Sequence, residues 1–159
     1  MKLYFLRHGI AADREEWTGD DASRPLTSEG RKCMDREAKG MEDLNLCPDR
    51  IITSPLKRAK ETAQIVAERL HLEDKLVEDQ RLADSFDAAR LSEILSENDS
   101  AASIMLVGHE PDFSETIGEV IGGASIDLKK GGLARIDLHD ASATRGELVW
   151  LIPPKALMR

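Results

Sequence analysis

Cysteine is scarce in this 159-residue chain, which contains only Cys33 and Cys47. The two residues are too far apart to form a Cys-x-x-Cys pair, and two cysteines cannot build a disulfide framework. We therefore interpret both as free thiols of a protein that works in a reducing compartment.

Long hydrophobic runs are also missing. The apolar run Leu3–Leu6 has four residues between Lys2 and Arg7, which is too short for the core of a signal peptide. The longest stretch without a charged residue, Ser100–His109, has ten residues, whereas a membrane span needs about 18. These absences predict a soluble, cytoplasmic protein with no membrane partner.

An excess of basic residues is the third feature that the sequence lacks. Lysine and arginine total 22 against 30 aspartates and glutamates, which gives a formal net charge of −8. An acidic protein is a poor general binder of nucleic acid, so we expect no nucleic-acid partner, although a small basic pocket is compatible with this charge. The length predicts one domain over residues 1–159.

Short apolar runs alternate with longer helical patterns along most of the chain. Leu3–Leu6, Ile51-Ile52 and Ile104–Val107 have the continuous apolar character of strands that are buried on both faces of a parallel sheet. Residues 134–138 and 148–152 form two late strand patterns, which are candidates for antiparallel pairing. The predicted fold class is α/β: a single domain with a mainly parallel sheet and helices on both faces.

Residues typical of helix starts lie between these strands. A helix is predicted to begin near Thr27. Ser54 is the predicted N-cap of the next helix, with Pro55 at its first position. Asp112 and Glu115 have the spacing of a capping box at the start of the last long helix.

Reactive side chains follow three of the predicted strands. Arg7-His8-Gly9 comes after the first strand, residues 54–58 with Arg58 come after the second, and Gly108-His109-Glu110 follows Ile104–Val107. In open α/β sheets, ligands bind outside the carboxyl ends of the strands. We therefore expect Arg7, His8, Arg58 and His109 to meet at one edge of the sheet.

Two guanidinium groups and two imidazoles form a cationic pocket that suits a phosphoryl group. Arginine matches phosphate oxygens in bidentate geometry, and Arg58 lies where the start of a helix also favours an anion. Nearby cations lower the pKa of histidine, so one imidazole is expected to stay neutral and attack phosphorus. Gly9 lets the backbone come close to the ligand. The predicted chemistry is a covalent phosphohistidine that water later cleaves, with either His8 or His109 as the nucleophile.

The same residues lie in blocks that resemble a known family. Arg7-His8-Gly9 is similar to the signature of the histidine phosphatase superfamily, also called phosphoglycerate mutase-like. Further blocks in the same order extend the resemblance over nearly the whole chain: Arg24-Pro25-Leu26-Thr27 with Gly30, Ser54-Pro55-Leu56-Lys57-Arg58-Ala59 with Thr62, and Val107-Gly108-His109-Glu110-Pro111. Together they look like the short phosphohistidine phosphatases of the SixA type.

The resemblance implies a role for each site residue. It makes His8 the phosphorylated nucleophile and assigns the phosphoryl oxygens to Arg7, Arg58 and His109. It also implies a single histidine phosphatase domain that needs neither a metal nor another cofactor.

This sequence departs from relatives that act on phosphate monoesters, because no clear general acid is present. Some relatives place a glutamate after the strand that corresponds to Leu76-Val77, and others place an aspartate directly after the second histidine. Here only Asp84 and Glu110 are near those positions. Both are weak candidates for a proton donor.

Other interpretations of individual residues stay open. His8 and His109 could be structural histidines, or could form a metal site with Asp13, although flanking arginines repel a cation. Lys57 extends the pocket or is solvated, and Lys129 contacts substrate or lies in a turn. Arg24 either guides substrate or fixes a loop, and Trp17 either borders the pocket or anchors its loop. His71 and His139 are predicted to lie at the surface.

Chain length bears on the substrate. Only fifty residues separate Arg58 from His109, which leaves no room for a cap insertion over the pocket. An open pocket suits a phosphorylated side chain on a protein, and imidazole leaves phosphorus more readily than an alkoxide. We therefore expect phosphohistidine on a protein partner, and the acidic net charge favours a partner with a basic docking face. A small-molecule phosphomonoesterase and a phospho-ligand binding module remain alternatives, and the sequence does not indicate an oligomeric state.

Overall fold

The computed structural model describes residues 1–140 and 145–158. Six strands form one sheet: β1 (Lys2–Arg7), β2 (Arg50–Thr53), β3 (Leu76–Glu78), β4 (Ser103–Gly108), β5 (Leu133–Leu138) and β6 (Gly146–Ile152). The α-helices are α1 (Ser28–Asp43), α2 (Lys57–Leu70), α3 (Ala88–Glu97), α4 (Asp112–Val120) and α5 (Pro154–Leu157). Single turns of 3-10 helix occupy Asp21–Ser23, Glu73–Lys75 and Gln80–Leu82.

The strand order β3-β2-β4-β1-β5-β6 confirms the predicted α/β class. β3, β2, β4 and β1 are parallel, whereas β5 runs antiparallel to both β1 and β6. In the central strands, Arg7 lies opposite Gly108, and Thr53 lies opposite Val107. Because these three parallel strands end in register, the residues that follow them emerge side by side at one edge of the sheet.

Alternate residues of the central strands enter two apolar cores on opposite faces of the sheet. Leu3 and Phe5 join the core that contains Leu91 of α3 and Phe113 of α4. Tyr4 and Leu6, on the other face of the sheet, pack instead with residues of α1, α2 and α5. This arrangement confirms helices on both faces and explains why the strands are almost uniformly apolar. Among the described residues, no helix is both long and apolar enough to cross a bilayer.

The predicted start of α2 is wrong by two residues. The helix begins at Lys57 after Leu56, which makes no side-chain cap, and Ser54 lies outside it. The Ser54 hydroxyl instead bonds to the ring of His109, with 2.7 Å between Oγ and Nε2, and accepts the Leu56 N–H at 3.2 Å. A residue type that favours helix caps is therefore used here to hold a functional side chain.

The capping box predicted at Asp112 and Glu115 is also absent. Pro111 is the N-cap of α4 and cannot contribute a side-chain hydrogen bond. The side chain of Glu110 caps the helix instead, since its Oε1 accepts the N–H of Ser114 at 2.7 Å. By contrast, Thr27 caps α1 as predicted: its Oγ1 accepts the Gly30 N–H at 2.9 Å.

Candidate active site

The three strand ends bring the predicted site residues into one pocket. Arg7 and His8 follow β1, Arg58 is the second residue of α2 after β2, and His109 follows β4. All four line a cavity of about 610 Å³. The rings of His8 and His109 are 5.4 Å apart between centroids. The sequence-based expectation that these side chains meet at one edge of the sheet therefore agrees with the geometry.

His8 has one ring nitrogen committed and one available. Its Nδ1 lies 2.7 Å from the carbonyl oxygen of Gly9. A carbonyl can only accept, so Nδ1 carries the proton and Nε2 keeps its lone pair. Burial of the ring, with smaller contributions from His109, Arg58 and Arg7, lowers the pKa of His8 to about 3 against the raising effect of the Gly9 hydrogen bond. The imidazole is therefore neutral at physiological pH.

His109 is held in a complementary way. Its Nε2 bonds to the Ser54 hydroxyl, while its Nδ1 is buried without a hydrogen-bond partner among the described residues. Burial and then the charge of Arg58 lower the pKa of His109 to about 4. The Ser54 hydroxyl accepts the Leu56 N–H and can donate its own proton to Nε2, and in that tautomer the proton of the neutral ring is on Nδ1.

The two arginines contribute buried donors that lack partners. The Nε atoms of Arg7 and Arg58 have no hydrogen-bond partner among the described residues. Arg7 is anchored by its NH1, which donates to the Leu128 carbonyl at 3.0 Å. Arg58 is only 4% exposed, and burial lowers the pKa of both guanidinium groups, although arginine stays charged at neutral pH. Unpaired buried donors are costly, which is typical of a site built for an anion.

One carboxylate, Asp21, reaches Arg58 from the segment 12–24. Arg58 donates through NH1 to the Asp21 carbonyl at 2.9 Å and through NH2 to its carboxylate at 3.0 Å. Arg24 also donates to the Asp21 carboxylate, at 3.2 Å, and to the Ala12 carbonyl at 2.8 Å. Burial acts to raise the pKa of Asp21, but Arg58 and Arg24 outweigh it and hold that pKa below its usual value. Of the two roles considered for Arg24, fixing a loop is the one that its contacts support.

A hydroxyl to which the sequence analysis assigned no role connects the nucleophile loop to α2. The Oγ1 of Thr62 accepts the Gly9 N–H at 3.1 Å and donates to the Arg58 carbonyl at 2.8 Å. Gly9 itself is needed for packing against α1, because an added Cβ would lie 2.8 Å from Cγ of Met34. The structure therefore gives Gly9 a packing role, and its expected role in letting the backbone approach the ligand stays a prediction.

Of the two carboxyl groups expected near the pocket, only Glu110 lines it. Asp84 is exposed and does not line the cavity. Glu110 lines it, but one of its oxygens caps α4 through Ser114. The segment 12–24 contributes two carboxyl groups that were not considered as acids, Asp13 and Glu16. Their distance in sequence from any strand end explains why the pattern did not reveal them.

The other open assignments are resolved by simple contacts. Trp17 anchors its loop, since its Nε1 donates to the Asp20 carbonyl at 2.9 Å. Lys57 is exposed and outside the cavity, and Lys129 is an exposed turn residue paired with Asp127 at 2.8 Å. His71 and His139 are exposed, as predicted. No cluster of three or more metal-ligating side chains occurs in the described part of the chain.

Comparisons with known proteins agree with this geometry. The family model of the histidine phosphatase superfamily (branch 1) matches residues 3–110. An uncharacterized protein of Picosynechococcus sp. is 36% identical over 99% of both chains. Phosphohistidine phosphatase SixA of Escherichia coli is 24% identical over 97% of this chain and 94% of its own length. A solved structure of the protein histidine phosphatase SixA complexed with tungstate superposes with a TM-score of 0.87 and 26% identity over 99% of both chains.

The same fold also serves phosphatases of small molecules. The structure of the alpha-ribazole phosphatase from Shigella flexneri superposes with a TM-score of 0.74 over 97% of both chains, at 19% identity. That likeness concerns the fold alone. The fold therefore does not select the substrate, and the residues of this pocket and its surroundings must do so.

Proposed function

We propose that this chain, which belongs to the histidine phosphatase superfamily, removes phosphoryl groups from phosphohistidine on a protein partner through a covalent intermediate on His8. The observation that carries the proposal is one pocket with a neutral imidazole and three buried side-chain nitrogens that have no hydrogen-bond partner among the described residues. These nitrogens, which can donate to phosphoryl oxygens, are Nε of Arg7, Nε of Arg58 and Nδ1 of His109. A nucleophile surrounded by such donors is what transfer of a phosphoryl group requires.

In the first step, Nε2 of His8 attacks phosphorus and the bond from phosphorus to the substrate imidazole breaks. A substrate ring that is protonated on its other nitrogen takes the electron pair and leaves as a neutral molecule. The phosphorylated ring of His8 then carries a positive charge, which the Gly9 carbonyl stabilises through the Nδ1 proton. Arg7, Arg58 and His109 stabilise the equatorial phosphoryl oxygens throughout.

In the second step, a water oxygen attacks phosphorus from the face opposite Nε2. The P–N bond breaks, its electron pair returns to Nε2, and His8 is again neutral. The product is inorganic phosphate, and the remaining proton of the water passes to solvent. Charge neutralisation by arginines means that no metal ion is needed, so dialysis against a strong chelator should leave the rate unchanged.

Selectivity for the N–P bond follows from the carboxyl groups. Asp84 is outside the pocket and Glu110 is engaged in capping α4. Asp13 is held by its own loop, since its Oδ1 accepts the Glu15 N–H at 2.8 Å. An alkoxide leaving group needs a proton donor that this arrangement does not position, whereas a protonated imidazole does not.

A small-molecule phosphomonoesterase is the second candidate function. It is favoured by one observation: a further carboxyl group, that of Glu16, lines the pocket beside those of Asp13 and Glu110. If Glu16 protonates an alkoxide, phosphate esters become substrates. The variant Glu16→Gln distinguishes the two functions, because it should reduce ester hydrolysis and leave phosphohistidine hydrolysis intact.

The open surroundings of the pocket support a protein substrate. Between Arg58 and His109 the chain forms the rest of α2, then β3, α3 and β4 with short turns, so nothing in that stretch covers the cavity. We therefore propose that residues 1–159 form one histidine phosphatase domain without a cap. Two free cysteines, Cys33 and Cys47, support the further proposal of a cytoplasmic location.

The test is a turnover screen of matched substrates. Phosphohistidine and phosphoserine peptides of the same sequence are compared with p-nitrophenyl phosphate and a sugar phosphate. General acid assistance is typically worth 10²–10⁴-fold, so kcat/KM for phosphoserine should be lower than for phosphohistidine by about that factor. The aryl phosphate should be intermediate. Equal turnover of phosphoserine or of the sugar phosphate would overturn the selectivity, and binding without turnover of any substrate would indicate a binding module.

A further inference from the structure

A second depression, which we call the lysine groove, lies beside the catalytic pocket. It has a volume of about 570 Å³, and its apolar surface comes from Ile10, Pro153 and Pro154. Its other lining residues are all cations: Arg7, Lys129, Lys130 and Lys155. A groove with an apolar base and only positive side chains around it is unusual on a chain whose net charge is −8.

The lysine groove and the catalytic pocket are parts of one surface. Arg7, Ile10 and Lys130 line both. Arg7 is shared by the proposed phosphoryl site and the groove, so the two cavities meet at the point where the phosphoryl group is bound. A polypeptide whose phosphorylated side chain enters the pocket can therefore continue over the groove.

The charge of the lysine groove is largely uncompensated. Lys129 pairs with Asp127, but both side chains are more than half exposed, so this pair contributes little. Among the described residues, no carboxylate forms an ion pair with Lys130 or Lys155. The groove can therefore attract an acidic segment. This electrostatic attraction acts over about 10 Å at ordinary salt.

The groove is preformed, which reduces the cost of binding. The turn that carries Lys129 and Lys130 is tied to the nucleophile loop, because the Gly131 N–H donates to the carbonyls of Arg7 and His8 at 3.1 Å each. On the other side, Pro153 and Pro154 restrict the backbone, and Leu157 of α5 is buried in the core with α1.

We infer that the lysine groove docks an acidic segment, with at least one apolar residue, that flanks the phosphohistidine of the protein substrate. This inference rests on the proposed function and names the kind of partner. It also reverses the expectation from net charge, which favoured a partner with a basic face. Net charge describes the whole surface, whereas the partner meets the part of it beside the pocket.

The test uses short synthetic peptides that each carry one phosphohistidine. One peptide has glutamates and a leucine next to it, its twin has lysines and a leucine, and a third has serines. The enzyme variants are Lys129→Glu/Lys155→Glu and a matched charge reversal on the exposed side of α1, Lys32→Glu/Lys39→Glu. Neither pair lines the catalytic pocket. Phosphoramidate, which has no flanking chain, reports whether each variant is folded and active.

We expect the wild type to prefer the acidic peptide over the lysine twin by at least about tenfold in kcat/KM, mainly through KM. The preference should decrease with added salt and disappear in Lys129→Glu/Lys155→Glu. It should persist in Lys32→Glu/Lys39→Glu, and all three enzymes should turn over phosphoramidate within about twofold of each other.

Three outcomes overturn the inference in different ways. If all three peptides are hydrolysed equally well, the docking is wrong and the proposed function stands. If no phosphohistidine peptide is hydrolysed while a phosphate ester is, the proposed function fails and the docking fails with it. A preference that survives in Lys129→Glu/Lys155→Glu places the acidic segment elsewhere and also contradicts the inference.

Discussion

The floor of the catalytic pocket and its borders are built from different kinds of chain. The floor consists of His8, Arg58 and His109, which are each less than a tenth exposed and follow buried parallel strands. One border is the segment 12–24, which belongs to no strand, and the other is the lysine groove. The floor is therefore fixed by the sheet, whereas the borders are surface segments.

The two regions also use charge differently. On the floor, burial dominates and keeps both imidazoles uncharged between two arginines. On the borders, the segment 12–24 lines the pocket with charges of both signs, Asp13 and Glu16 beside Arg14 and Arg24, whereas all the charged residues of the lysine groove are cations. In the proposed function, the floor carries the reaction and the borders select the substrate.

The strongest test of this division is to remove the proposed nucleophile. His8→Ala should lower kcat by at least about three orders of magnitude, because loss of a nucleophile removes the covalent route. The fold should persist, since the strands are held by their own apolar cores. His139→Ala, at an exposed histidine, is the matched control. Residual activity above about a tenth of wild type would contradict the role of His8.

Burial of the two floor histidines should also lower the stability of the protein at low pH. The pKa of His8 is about 3 and that of His109 about 4, against 6.5 for an unfolded histidine. Between pH 6.5 and those values the unfolded chain binds protons that the folded chain does not, so stability falls as pH falls.

The expected loss for the two histidines together is on the order of 2–4 kcal/mol at pH 5 relative to pH 7. Urea unfolding of the wild type and of His8→Asn/His109→Asn from pH 7 to pH 5 measures it. The variant should show a flatter profile, and parallel profiles would show that the imidazoles are not kept neutral by the fold.

A buried acid behind the floor should have the opposite pH dependence. Glu37 of α1 is 1% exposed, and its carboxyl oxygens pack against Gly131 so closely that a Cβ there would lie 2.6 Å away. Burial raises the pKa of Glu37 to about 8. Above pH 4.5 the unfolded chain loses this proton while the folded chain keeps it, so stability falls as pH rises towards 8.

Glu37→Met should therefore stabilise the protein at pH 8, by roughly 1–3 kcal/mol, while keeping the length of the side chain. The gain should shrink as the pH falls to 5, and urea unfolding at both values measures it. Glu29→Met, at an exposed position of the same helix, is the control. A gain that is the same at both pH values would mean that Glu37 is ionised in the folded protein.

The smallest expected effect concerns the contact between a border and the floor. Asp21→Asn keeps the shape of the side chain but removes the charge that holds the NH2 of Arg58. We expect kcat/KM for phosphoramidate to fall about tenfold, because a less fixed guanidinium binds the phosphoryl group less well. Glu15→Gln, exposed in the same segment, should have no effect. An increase in kcat/KM would show that Asp21 competes with the phosphoryl group for Arg58.

The same contrast explains what could be predicted from the sequence. The predicted strand run Ile51-Ile52 lies within β2, Arg50–Thr53. Arg7 and the three side chains of the floor were found because a reactive residue after a buried strand is a local pattern. The cap at Ser54 was wrong, since its hydroxyl is used by His109, which is distant in sequence. The capping pair predicted at Asp112 and Glu115 was wrong for a local reason, since α4 follows Pro111 and is capped by Glu110, four residues before Ser114.

Long-range contacts on the borders could not be predicted from the sequence, because the partners are distant in the chain. The bond from Asp21 to Arg58 spans 37 positions, and nothing near either residue indicates it. The lysine groove joins the turn at Lys129 to Pro153, which are neighbours only because β5 and β6 pair between them. Net charge could not substitute for this information, because it averages over a surface whose regions differ in sign.

The central claim is that phosphoryl transfer passes through His8, and the direct measurement is to trap that intermediate. Enzyme mixed with ³²P-labelled phosphohistidine peptide and quenched rapidly should carry label that is stable in alkali and lost in acid, and peptide mapping should place it on His8. His8→Ala should carry none. Hydrolysis of the peptide without any labelled enzyme, or label on another residue, would contradict the account.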